Sequence, residues 1–140
     1  MTERFRIIFV DDDADDQYLV KRALAKISYQ IELVCLSSAN ELSSFLDKAN
    51  EPLKQLILLD LNLPMINGND ALKNLKQSSQ FCSTPCIIYS TSQSNQDIAE
   101  AYQVGANSFI IKPDTFTETV KILQQLCDYW FGIVTLKGSD

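Results

Sequence analysis

The sequence predicts a three-layer α/β domain built on a parallel sheet. Two observations lead there. Five short apolar runs alternate with stretches of helical period along the 140 residues, the pattern of strands joined by right-handed crossover helices. Four of those runs also end in polar residues, which a parallel sheet gathers on one carboxyl edge. A chain of this length buries about 68–70% of its extended-chain surface, so one domain over residues 1–140 needs no metal or disulfide staple.

The elements come in order. Ile7-Ile8-Phe9-Val10 reads as the first strand, and Val20, Ala23, Leu24 and Ile27 then repeat at i, i+3, i+4, i+7, the spacing of an amphipathic helix. Ile31 to Leu36 is the second run, followed by the same spacing at Leu42, Phe45, Leu46 and Ala49. Leu56 to Leu59 is the third, with a shorter stripe at Ala71, Leu72 and Leu75. Cys86 to Tyr89 precedes Ile98, Ala101 and Tyr102, and Ser108 to Ile111 precedes Phe116, Val120, Leu123, Cys127 and Trp130. The runs are nearly continuous rather than alternating, which predicts strands covered on both faces.

Charge and composition narrow the chemistry. Twelve Lys and Arg against eighteen Asp and Glu leave a net charge of −6, unfavourable for gripping nucleic acid or an anionic membrane. The chain has no histidine, which excludes a Ser-His-Asp triad, a histidine zinc site and a phosphohistidine donor within it. Cys35, Cys82, Cys86 and Cys127 form no C-x-x-C pair and read as reduced thiols. The first apolar run stops at three aspartates, too short for a signal peptide, and no run approaches the ~20 apolar residues of a membrane span. A cytoplasmic protein is expected.

The polar residues at the run ends carry the functional expectation. Asp11, Asp12 and Asp13 follow the first run, Asp60 the third, Ser90 and Thr91 the fourth, and Lys112-Pro113 the fifth. Singly, each has an ordinary explanation, since strand-end acids cap helices and hydroxyl residues begin loops. Asp15 or Asp16 is expected as such a cap, and Asp13 as a solvated or capping acid. Together they bring acids, hydroxyls and an amine to one rim. Asp11, Asp12 and Asp60 crowd like charges, which favours a cation among them. Carboxylate, carbonyl and water oxygens suit Mg²⁺, with Mn²⁺ as the alternative. Lys112 can pair with a phosphoryl oxygen and Ser90 can donate to another. Phosphoryl transfer to an aspartate fits this set.

Val10-Asp11-Asp12-Asp13, Leu58 to Gly68 (LLDLNLPMING), Tyr89-Ser90-Thr91 and Gly105 to Pro113 (GANSFIIKP) resemble, in order and at the usual separations, the receiver domain of two-component response regulators. The resemblance covers almost the whole chain. It implies a doubly wound, flavodoxin-like sheet in order 2-1-3-4-5 with five helices, Asp60 as phosphoacceptor, and Asp11 and Asp12 as the acid pair for Mg²⁺. It further implies Asn62 as a metal ligand through its backbone carbonyl, Ser90 as the hydroxyl, Phe109 as the aromatic switch position and Lys112 as the lysine. Lys112-Pro113 resembles the family's cis peptide. The phrases LLDLNLP, Ser90-Thr91-Ser92 and Tyr129 to Val134 are similar to stand-alone regulators of the type paired with bacterial phytochromes. The resemblance thus implies a single receiver over residues 1–140, with 131–140 as its tail. It would accept phosphate from a sensor histidine kinase or phosphotransfer protein, catalyse no conventional turnover, and signal to a downstream protein.

Three other readings compete. A Mg²⁺-dependent aspartyl phosphatase resembles D-x-D at the first strand end, whereas here the best nucleophile follows the third. A flavodoxin-type carrier wants a hydroxyl- and Gly-rich loop after strand one, where this chain has five acids in Asp11 to Asp16. A pseudo-receiver that only docks partners is at odds with the full acid–Ser–Lys set. At the other end, Trp130, Phe131, Ile133, Val134 and Leu136 are expected either to extend the face of the fourth and fifth helices into a homodimer or partner surface, or to fold back on the core.

Overall fold

The computed structural model describes residues 4–48 and 54–137; Ala49 of the second expected stripe lies outside them. Strands and helices alternate without exception: β1 (Phe5–Val10), α1 (Ala14–Leu24), β2 (Ile31–Leu36), α2 (Ala39–Lys48), β3 (Lys54–Leu59), α3 (Gly68–Gln77), β4 (Cys86–Ser90), α4 (Asn95–Val104), β5 (Ser108–Ile111) and α5 (Phe116–Gly132). The strands pair in parallel in the order β2-β1-β3-β4-β5, the doubly wound arrangement expected. Among the described residues no helix is long and apolar enough to cross a membrane.

Because successive side chains leave a strand on opposite faces, each central strand feeds two cores. Ile8, Val10, Ile57, Leu59 and Ile88 pack with Leu42 and Leu46 of α2, Leu72 and Leu75 of α3 and Ala101 of α4. Ile7, Phe9, Leu56, Leu58, Ile87 and Tyr89 pack instead with Val20 and Ala23 of α1 and Leu123 and Cys127 of α5. The expectation of strands covered on both faces holds for β1, β3 and β4 and fails at the edges. In β2, Glu32 and Cys35 are exposed, and β5 ends in an exposed Ile111, since an edge strand lacks a neighbour on one side.

The cap of α1 is Asp13, not Asp15 or Asp16. Its carboxylate accepts from the Asp15 and Asp16 amides at 2.8 and 3.4 Å, satisfying two of the amides a helix start leaves open. The acids one turn later are thereby free for other work.

At the far end, α5 runs on to Gly132, two residues into the stretch expected as tail. Phe131 is buried and stacks on Phe5 with ring centroids 4.5 Å apart, while Tyr29 meets Phe5 edge-on at 6.0 Å. Gly132 makes room for this cluster, because a Cβ there would lie 2.6 Å from the Tyr29 hydroxyl. Trp130 and Leu136 pack partly against the same core, so most of the apolar segment folds back. Ile133, 73% exposed, does not.

Candidate functional site

Register carries three expected residues to one place. Asp11 and Asp60 directly follow neighbouring strands β1 and β3, and their amides extend the sheet by donating to Leu36 and Val10 carbonyls at 2.9 and 3.0 Å. Lys112 follows β5 and donates its amide to the Ser90 carbonyl at 2.8 Å. Counting in twos from Phe9, Leu58 and Ile110, which all face α1 and α5, Asp11, Asp60 and Lys112 emerge on that same side. Ser90 and Phe109 fall on the other side, with Ile88, toward α4. The Lys112-Pro113 peptide, whose isomer the sequence leaves open, is trans.

The Lys112 ammonium is the hub. It donates to Asp11 Oδ2 and Asp16 Oδ2, each at 2.7 Å, and stands 3.5 Å from Asp60 Oδ2. Its side chain is 10% exposed and Asp11 is wholly buried. Burial alone pulls the Lys112 pKa down, but hydrogen bonds to Asp11 and Asp16 and the charge of Asp60 outweigh it and hold the amine above the ordinary lysine value. For Asp11 burial wins. Its carboxyl is raised above the usual aspartate value despite Lys112 and despite the Asp13 amide on Oδ1 at 2.9 Å.

Asp12 is exposed beside this hub, and one carboxylate oxygen each from Asp11, Asp12 and Asp60 lie within 4.8 Å of one another. Three hard oxygen donors so close fit a hard divalent cation. Asn62 is exposed two residues on, its amide donating to Asp60 Oδ1 at 3.4 Å. Ser90 is fully buried and its Oγ accepts from the Ser92 amide at 3.2 Å. Phe109 packs, partly buried, against the core facing α4.

Three contributors escaped sequence reasoning. Asp16 pairs with Lys112; the acidic run signalled a function, but capping was the expected one. Gln17 donates to the Asp11 carbonyl at 2.6 Å, fastening α1 to the rim. Gly68 touches the loop after Asp60 so closely that a Cβ would stand 2.4 Å from the Asp60 carbonyl oxygen and 2.7 Å from Leu61 Cα. Between them Met65, 95% exposed, holds a φ of 67°, a left-handed conformation that costs a non-glycine residue about 1–2 kcal/mol.

Comparison with known proteins places this geometry. The model of the response regulator receiver domain matches residues 7–124. Response regulator Rcp1 of Synechocystis sp. is 30% identical over 137 residues, covering 95% of this chain and 93% of that protein. The crystal structure of the Mn²⁺-bound form of Rcp1 matches with a TM-score of 0.81 at 30% identity, over 94% of this chain and 97% of the other. That of the phosphorylated cyanobacterial phytochrome response regulator RcpA matches with a TM-score of 0.86 at 29% identity, over 96% and 99%.

Proposed function

This chain belongs to the response regulator receiver family of two-component signalling, and we propose that it accepts a phosphoryl group on Asp60 from a phosphohistidine of a sensor kinase or phosphotransfer protein. An Asp60 carboxylate oxygen forms the new O–P bond as the N–P bond breaks, and the histidine nitrogen leaves. The observation that carries this is the Lys112 ammonium, 3.5 Å from Asp60 Oδ2, beside two further carboxylates within reach of one cation. Such an arrangement neutralises an anion arriving at Asp60.

Asp11, Asp12 and Asp60, with the Asn62 carbonyl, would hold Mg²⁺, or Mn²⁺ in its place. The bound cation supplies charge neutralisation for the phosphoryl oxygens. Lys112 pairs with a second oxygen and the Ser90 hydroxyl donates to a third. Ser90 and Phe109, both toward α4, register the change. Residues 1–140 act as one receiver in the cytoplasm, catalysing at most the gain and loss of its own phosphoryl group. The same proposal includes a protein-facing surface on α4 and α5, taken by a second copy or a downstream protein. Tyr102, Ile111, Tyr129 and Ile133, between 40% and 73% exposed, support it, whereas Phe131 is buried and Leu136 packs partly against the core.

Incubation with acetyl phosphate in Mg²⁺ and in excess chelator, followed by intact mass, tests the proposal. One added phosphoryl group with Mg²⁺ and none in chelator is expected; equal labelling in both contradicts it.

A further inference from the structure

The Lys112 ammonium carries three protons and meets three carboxylates, Asp11 and Asp16 each at 2.7 Å and Asp60 at 3.5 Å. Two of these carboxylates have a second claimant. Asp11 and Asp60 stand with Asp12 in the cluster whose oxygens lie within 4.8 Å of one another. Asp16 is not among those three. Its bond to Lys112 is the one that neither a cation among the cluster nor a phosphoryl group on Asp60 takes away.

The fold fixes Asp16 at this spot. It stands in the first turn of α1, where the Asp13 carboxylate accepts its amide at 3.4 Å. The side chain of Gln17 next to it donates to the Asp11 carbonyl at 2.6 Å and to the Leu36 carbonyl at 3.4 Å, pinning that turn to the ends of β1 and β2. The ammonium also lies 5.9 Å from the centre of the buried Tyr89 ring, within cation–π range. An acid in a first helical turn is ordinary, because the helix dipole favours it, and Asp15 meets that need as well. The dipole does not account for a lysine 96 residues away in sequence at 2.7 Å.

We propose that Asp16 is a positioning residue for Lys112: it retains the ammonium when a divalent cation takes Asp11, and so keeps it within reach of a phosphoryl group on Asp60. This deepens the receiver reading and rests on it. A cation among Asp11, Asp12 and Asp60 repels the ammonium and draws off two of its partners. With Asp16 in place, Lys112 keeps one charged partner and can turn its other protons to the arriving anion. Without Asp16, the carboxylates left to Lys112 are the cation's own ligands. The ammonium then competes for them and weakens the cation's hold.

Calorimetric Mg²⁺ titration of wild type, Asp16→Ala, Lys112→Ala and the double variant tests this as a cycle. Asp16→Ala should bind Mg²⁺ about tenfold more weakly than wild type, between the yields of an exposed ion pair and a buried charged hydrogen bond. In the Lys112→Ala background the same substitution should cost less than about twofold. Equal losses in both backgrounds mean that Asp16 acts by its charge alone and overturn the proposal, as does full affinity in Asp16→Ala. Asp16→Asn keeps the side-chain size and an acceptor oxygen. It should show a smaller loss of the same sign, and it carries the test if Asp16→Ala folds poorly. The ¹⁵N resonance of the Lys112 ammonium reads the anchoring directly. It should persist in Mg²⁺-bound wild type and vanish in Mg²⁺-bound Asp16→Ala as exchange with water quickens; persistence in both overturns the proposal. Intact mass after acetyl phosphate and Mg²⁺ tests the underlying reading separately. A wild type that binds Mg²⁺ but gains no phosphoryl group overturns Asp60 as acceptor, while the cycle still supports or overturns Asp16 as the anchor of Lys112. A wild type that binds no Mg²⁺ overturns both.

Discussion

The Lys112 ammonium lies 2.7 Å from Asp11 Oδ2, although β5 and β1, which deliver the two residues, are separated in the sheet by β4 and β3. The pair spans the rim and places its positive charge where a phosphoryl anion would draw on the ammonium, while a divalent cation would compete with it for the same carboxylates. Lys112→Ala should therefore destabilise the protein in chelator by about 3 kcal/mol, the lower end of what breaking a buried ion pair costs. Saturating Mg²⁺ should recover part of that loss by supplying the missing charge. Thermal melts with and without Mg²⁺ measure both, and an identical loss in the two conditions contradicts the competition.

Gly68 is predicted to be irreplaceable for steric reasons alone. The atoms its Cβ would meet, the Asp60 carbonyl oxygen at 2.4 Å and Leu61 Cα at 2.7 Å, are backbone and cannot rotate away. Gly68→Ala should cost about 1–3 kcal/mol as overpacking and slow acetyl phosphate labelling by displacing Asp60. Wild-type melting and labelling in this variant would show that the loop after β3 yields freely.

Beyond Asp128, Phe131 should behave as core and Ile133 as surface. Phe131→Ala should lower stability by about 3–5 kcal/mol, as for other buried phenylalanines, with Mg²⁺ affinity unchanged. Ile133→Ala, at an exposed position, should stay within about 0.5 kcal/mol. Denaturant unfolding separates them, and equal small effects would return Phe131 to the surface.

The thiols should fall into three classes. Burial pushes the Cys86 and Cys127 pKa values up to about 12. At pH 8 only about one such thiol in ten thousand is the reactive thiolate. Cys35 is exposed but raised by partial burial, and Cys82 is exposed. A disulfide-exchange reagent should thus modify Cys82 first, Cys35 next, and the other two only on unfolding. Raising the pH should narrow the gap, since the thiolate fraction grows toward the pKa. Rapid reaction of all four in the native protein contradicts the packing.

Legibility in the sequence divides by range. Asp11, Asp60, Ser90 and Lys112 are legible because following a strand is a local property, and parallel strands share one edge. The strand order comes from the family resemblance rather than from periodicity, which says nothing about which strands pair. The inward turn of Phe131 is available at Leu123, Cys127 and Phe131, spaced i, i+4, i+8, but Trp130 fits the helical stripe as well and draws the tail boundary too early. Tyr102 fits a core stripe by spacing, whereas its amphipathic ring stays half out to reach the Phe109 amide. The Asp16–Lys112 pair and the Gly68 contact depend on where α1 and the loop after β3 sit relative to distant strands. No local pattern encodes either.

The most direct test of the central claim is peptide mapping of the phosphoryl adduct formed from acetyl phosphate and Mg²⁺, on wild type and Asp60→Asn side by side. The geometry predicts a single adduct on the peptide containing Asp60, and none in Asp60→Asn, which should melt as a folded protein. An undiminished adduct in Asp60→Asn, or one mapping to Asp11 or Asp12 in wild type, would contradict it.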